Sequence, residues 1–331
     1  TIMEEAQAAG KAIGIVKSGF IAEPGSGVFL ADAVNRGETQ AITAEILESG
    51  AEVILGAGER DYLPAGVEGV FGEGEREDGR NLIEEAEEAG YTVVYTLAQL
   101  EAAAVDPETE KLLGIFGEED TYNDTFEDNL QAQGLVDANG DLVFYGQPVA
   151  DAPNPDGLVL DTDGDGFTDP PTIADMMDAA LQILDRDPDG FFLVLEEEAT
   201  DNFGNNNNAA GVIEAAIRAD DAIGVAMDFV DNTDPNTLII TAADSDAGGL
   251  EVDDVPIGEG TFGLTEPESD FTIRTQAELT AFGPNADGTL VELDDTNGSG
   301  DGDFVPFTTG APDADGDVFE FGVAWATLSD V

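Results

Sequence analysis

The sequence contains no cysteine and no histidine, and its 10 basic residues stand against 73 acidic ones, a formal net charge of −63 over 331 residues. Without cysteine, disulfides and thiolate metal sites are impossible. Without histidine, every mechanism that uses an imidazole as base, nucleophile or zinc ligand is excluded. The scarcity of Lys and Arg removes the clustered positive charge that nucleic acid and anionic membrane surfaces require. No apolar run reaches the length of about 18 residues that a membrane-spanning helix needs. What is present is 42% apolar residues with 7% aromatics, enough for a real core and against disorder. The length allows one large domain or two ordinary ones, and a single domain over 1–331 is the expectation. Acidic side chains are spread through both halves. Their self-repulsion opposes compaction in dilute buffer, and it is screened at molar salt, where the Debye length is about 3 Å. The charge therefore predicts a folded protein of a high-salt habitat, or one whose charge is compensated by divalent cations. The chain opens on Thr1 without Met or a signal peptide, so it reads as processed, trimmed or incompletely represented at its front.

Along the chain, helices alternate with short apolar strands. Helical patterns cover Met3 to Gly10, Thr39 to Ser49, Asn81 to Ala89 (Asn cap, Gly90 stop), Thr172 to Leu184 and Asn208 to Val230. Strand patterns cover Ala12 to Val16, Val53 to Leu55, Tyr91 to Tyr95, Leu112 to Phe116, Gly190 to Glu196 and Leu238 to Ala242. This alternation predicts an α/β fold, a three-layer sandwich with a mostly parallel central sheet and helices on both faces. Residues 245–305 have a different texture, rich in Gly, Asp, Asn and Thr, and read as an inserted excursion with some β structure before a last strand near Val318 to Trp325.

Several of these segments carry a resemblance. The stretch Asp187-Pro-Asp-Gly-Phe-Phe-Leu-Val-Leu-Glu196, then Asp201 and an Asn-rich helix start, resembles the central signature of the alkaline phosphatase family. The second strand Thr237-Leu-Ile-Ile-Thr-Ala-Ala-Asp244, the opening Ala12 to Val16, Asp32 to Arg36 and Val53 to Gly58 are similar to family segments in the same order. The resemblance implies that fold, with Glu196 serving a magnesium site and Asp201 and Asp244 serving zinc sites. Where the family uses imidazoles, this chain has Asn205, Ser245 and Thr308-Thr309-Gly310, and a position often His or Asp is Glu23 with Gly25 near it. The family's metal-ligating first strand and nucleophilic serine would precede Thr1, and no arginine stands out as a clamp.

Zinc prefers nitrogen and sulfur ligands. Glu196, Asp201 and Asp244 offer only oxygens, so Zn²⁺ is not expected and a vestigial hard-cation site for Mg²⁺ or Ca²⁺ is. The adjacent Glu197 and Glu198 would repel each other without a cation. A sharper calcium signal is Asp161-Thr-Asp-Gly-Asp-Gly-Phe-Thr-Asp169, in which Asp161, Asp163 and Asp165 sit at alternate positions, Gly166 makes the turn and Asp169 closes a compact loop, without the closing Glu of a full EF-hand. Ca²⁺ is the expected ion there and Mg²⁺ the second choice. The functional expectation is a catalytically degenerate, extracellular or cell-surface, cation-stabilised member of the family. Copies of itself are the expected partner, with no nucleic acid and no membrane insertion. The alternative is a metal-dependent phosphomonoesterase whose nucleophile segment lies outside this chain. A phosphate or nucleotide binder without turnover is disfavoured by the strongly negative field.

Overall fold

The computed structural model describes residues 1–124, 171–205, 209–243, 247, 250–254, 292–293, 307–308 and 320–325. The chain opens with α1 (Ile2–Ala8), β1 (Ala12–Phe20), the short α2 (Pro24–Gly27), α3 (Thr39–Glu48) and β2 (Val53–Ala57). It continues through α4 (Leu82–Glu88), β3 (Tyr91–Val94), α5 (Leu97–Val105) and β4 (Lys111–Ile115). From residue 171 onward come α6 (Ile173–Leu184), β5 (Phe191–Glu196), α7 (Ala199–Asn205) and α8 (Ala209–Asn232). Side-chain oxygens start the helices as the sequence suggests: Thr1 and Thr172 close capping boxes with Glu4 and Asp175, and Asn81 accepts from the backbone N–H groups of Ile83 and Glu84.

The strands form one five-stranded sheet in the order β3-β4-β2-β1-β5, and every pairing in it is parallel. Successive side chains of a strand point to opposite faces, which sorts the core into two layers. Ile13, Ile15 and Ile54 pack with Met3, Ile46 and Leu82 beneath α1, α3 and α4. Ala12, Val16, Val53 and Leu55 pack with Leu100, Met176 and Ile183 beneath α5 and α6. At Gly14 a Cβ would lie 2.8 Å from the Leu184 side chain, so glycine there sets how closely α6 approaches the sheet. The α/β sandwich with helices on both faces is the architecture found.

Two expectations need correction. The first strand extends beyond Val16 to Phe20 and so carries Lys17 and Ser18 into the sheet. The apolar run Leu238 to Ala242 is not a buried strand: among the described residues it has no ladder partner, and Leu238 and Ile240 are each 80% exposed. An apolar β-branched run expresses only a preference; a strand exists when a neighbour supplies its hydrogen bonds and a face to bury. A second, antiparallel sheet pairs β9 (Glu320–Trp325) with β6 (Leu250–Asp254), β7 (Glu292–Leu293) and β8 (Phe307–Thr308).

Scarce basic residues act as internal fasteners. Arg186, just past α6, donates from Nε to the Gln182 carbonyl, from Nη1 to the Asp106 and Thr109 carbonyls, and from Nη2 to Ala104. It thereby satisfies helix-end carbonyls of two elements at once. Replacing it, Arg186→Met, leaves these acceptors without their donor and is expected to cost about 2–3 kcal/mol, read as a lower denaturant midpoint in molar salt. A midpoint matching that of the unaltered chain would contradict this role.

Candidate functional site

In open parallel sheets, ligands are received at the carboxyl ends of the strands. Here the ends of β1 and β5 lie side by side in register, Lys17 opposite Glu196. Registered partners of a parallel ladder share a face, so the pairing delivers the Lys17 ammonium to the Glu196 carboxylate. Lys17 is fully buried. Its Nζ lies 2.7 Å from Glu198 Oε2, 3.1 Å from Glu196 Oε2 and 3.5 Å from Glu23 Oε2. The first two contacts are ionic and fall outside hydrogen-bond geometry; the third is a hydrogen bond. Arg36, largely exposed, reaches the other oxygen of Glu23 at 3.5 Å. A buried ammonium among carboxylates is tolerated only because they offset its desolvation.

Two glycines make room for the converging carboxylates. A Cβ on Gly25 would lie 1.7 Å from Glu196 Oε1. One on Gly19 would lie 2.1 Å from Glu198 Oε2 and 2.2 Å from Asp124 Oδ2. Any side chain at either position would therefore displace a carboxylate from the cluster.

On the other face of β1, Ser18 organises a second set. Its hydroxyl donates to Glu197 Oε1 at 3.0 Å and accepts from the Glu198 backbone N–H at 2.9 Å. The Arg218 guanidinium, from α8, sits 3.8 Å from Glu197 Oε2 and donates to the Asn123 carbonyl. Glu197 and Glu198, expected to repel each other, thus turn to different cations, Arg218 and Lys17. Asp124 is buried, accepts from Asn202 Nδ2 at 3.0 Å through one oxygen, and has no hydrogen bond at the other.

Of the residues singled out in the sequence, Glu196 is held by Lys17, while Asp201 accepts from Asn205 Nδ2 at 3.0 Å within α7. Asp244 and the loop residues Asp161, Asp163, Asp165 and Asp169 lie outside the described residues. Asn205 ends α7 and donates to Asp201. Among the described residues, no group of three or more Asp or Glu is arranged to hold a metal ion. The donor set does not fit the zinc and magnesium that the resemblance implies: an amide N–H faces Asp201 where an imidazole is absent, and an ammonium faces Glu196. Sequence reading missed Lys17 and Arg218. The available signal for Lys17 was a single basic residue continuing an apolar strand in a chain with few basic residues.

With this geometry in view, comparison with known proteins is informative. The alkaline phosphatase family model matches residues 1–296. Alkaline phosphatase of Escherichia coli K12 is 25% identical over 331 residues, covering 90% of this chain and 65% of that protein. The Escherichia fergusonii enzyme is 26% identical over 281 residues, covering 80% of this chain and 54% of that protein. Among solved structures, the cold-active alkaline phosphatase of a psychrophilic Shewanella superposes with a TM-score of 0.53 at 23% identity, covering 85% of this chain and 52% of that one. The chain belongs to the alkaline phosphatase family, and it spans 54% and 65% of the length of these two curated relatives.

Burial shifts three acidic groups near the site, Asp120, Asp124 and Glu197. Asp120, half-buried, is pushed up to about 7 by burial first and then by Glu119 and Glu23. Burial likewise raises Asp124 and Glu197, Asp120 adding to the first while Arg218 and Ser18 oppose the second. An acid with a raised folded-state pKa binds more protons folded than unfolded. Its stabilising contribution is full below the unfolded value near 4 and is lost as pH rises through about 7. Melting in molar salt is therefore expected to move to higher temperature between about pH 8 and pH 5, with a shallower slope in Asp120→Asn. Calorimetry across that range checks it; identical slopes would exclude Asp120 as a contributor.

Proposed function

We propose that this chain is a catalytically degenerate alkaline-phosphatase-family protein with a structural or binding role outside the cell of a high-salt organism, stabilised by cations and associating with its own copies. The observation that carries the reading is the Asp201–Asn205 hydrogen bond. It commits a carboxylate that the resemblance assigns to a zinc site to an amide donor, in a chain with no histidine to supply nitrogen ligands. Two-metal phosphoryl transfer needs paired metals clamping the attacking and leaving oxygens. An all-oxygen, partly neutral donor set is poorly matched to zinc. Arg218 is turned toward Glu197 and the Asn123 carbonyl, and Arg36 toward Glu23. In this reading the ion that stabilises the chain is Ca²⁺ at the Asp161, Asp163, Asp165 and Asp169 loop, supported by the spacing of those carboxylates.

The family match favours a second reading, a metal-dependent phosphomonoesterase completed by residues outside this chain. The two separate in one assay: p-nitrophenyl phosphate hydrolysis in molar salt with Mg²⁺, Mn²⁺ or Zn²⁺. The degenerate reading expects no turnover above buffer for the chain or for Asp201→Ala. Metal-dependent turnover that Asp201→Ala abolishes would establish the second reading.

The high-salt assignment rests on the formal charge of −63 and has its own test. Dialysis from molar KCl into dilute EDTA is expected to abolish the cooperative thermal transition, because self-repulsion is then unscreened. A melt unchanged by that dialysis would refute the assignment.

A further inference from the structure

We propose that Lys17 is a tethered cation holding the place of a divalent ion, so that Glu196, Glu198 and Glu23 form a magnesium site only when that ammonium is removed. The inference concerns the site's occupant and stands whether or not the chain hydrolyses an ester. Its first support is placement. The Lys17–Glu196 register and the burial of Lys17 put one positive charge at a point approached by three carboxylates from β5, the segment after it and the turn after β1.

Its second support is that the surroundings are built for oxygens to converge. Gly19 and Gly25 leave open the volumes into which Glu198, Asp124 and Glu196 project. Asp124 Oδ1 is a buried atom without a hydrogen bond, and Glu198, whose Oε2 contacts the Lys17 ammonium, is only 7% exposed. Carboxylate oxygens with unused lone pairs suit a hard cation. The third support is stoichiometric. One ammonium facing three carboxylates leaves excess negative charge, so replacing it by a neutral side chain creates an anionic cavity that a small divalent ion compensates more fully than a monovalent one.

The test uses the full chain in molar KCl, titrated with Mg²⁺ by calorimetry. The unaltered chain and Glu196→Gln are expected to give the same isotherm, since Glu196 already has its cation. Lys17→Met is expected to gain one Mg²⁺ equivalent that the parent lacks. The double variant Lys17→Met with Glu196→Gln is expected to lose that gain, and Lys17→Arg to lack it. If Lys17→Met folds only when Mg²⁺ is added, and the double variant is not rescued, the same conclusion follows. Mg²⁺ binding by the parent that Glu196→Gln removes would overturn the proposal. So would a folded Lys17→Met that binds no additional ion, or a Lys17→Met that Mg²⁺ does not refold.

Discussion

The contact of the Lys17 ammonium with Glu23, Glu196 and Glu198 is the constraint around which the carboxyl end of the sheet is arranged. Three acidic residues cannot share a buried corner on their own, because desolvation and mutual repulsion both disfavour the charged forms. A lysine on β1, registered against β5, offsets part of that repulsion with one buried positive charge. Once Lys17 holds that corner, Glu197 is left to the opposite face, where Ser18 and Arg218 receive it. The parity of two strands therefore divides three consecutive glutamates between separate cations.

The same economy runs through the rest of the described chain. Arg76 is buried and joins the Gln40 and Asp61 carbonyls to Asp78. Arg80 pairs with Glu48 and Glu85, Arg60 pairs with Glu119 and stacks over Phe20, and Lys111 lies over Tyr91. Lys11 donates to the Asp189 carbonyl at the turn into β5. In a chain this acidic, exposed ion pairs contribute little individually. The basic residues that remain are spent mostly on carbonyls and half-buried carboxylates, where an unpaired partner is expensive.

Much of the architecture was legible from pattern alone. Apolar runs such as Val53 to Leu55 and Leu112 to Phe116, punctuated by capped helices, define a parallel sheet because only a strand covered on both faces is apolar throughout. Two features were not legible, for one physical reason. Lys17 sits where polarity argues for the end of a strand, yet β1 continues because β5 supplies carboxylates. Leu238 to Ala242 has the composition of a strand, yet no described neighbour supplies a ladder, and its large side chains are exposed. In both cases the deciding partner is distant in sequence, and local preference carries no information about it. Glu196 could be singled out from the sequence, but its ammonium partner could not.

A tethered ammonium and a bound divalent ion are different solutions to the same charge problem, and the surroundings decide between them. A bound ion must be drawn from solution in competition with monovalent cations, and its occupancy varies with ionic conditions. An ammonium fixed on β1 has an effective concentration that no external salt can dilute, its entropy of localisation having been met by folding of the sheet itself. The exchange has a chemical consequence. An ammonium offers hydrogen-bond donors and one positive charge, but no open coordination position at which water is acidified or an oxygen polarised, and those are what a catalytic metal supplies. Stability and Lewis acidity, coupled in a metal-dependent site, are therefore separable, and at the Lys17 corner the ammonium supplies positive charge to the carboxylates without an open coordination position.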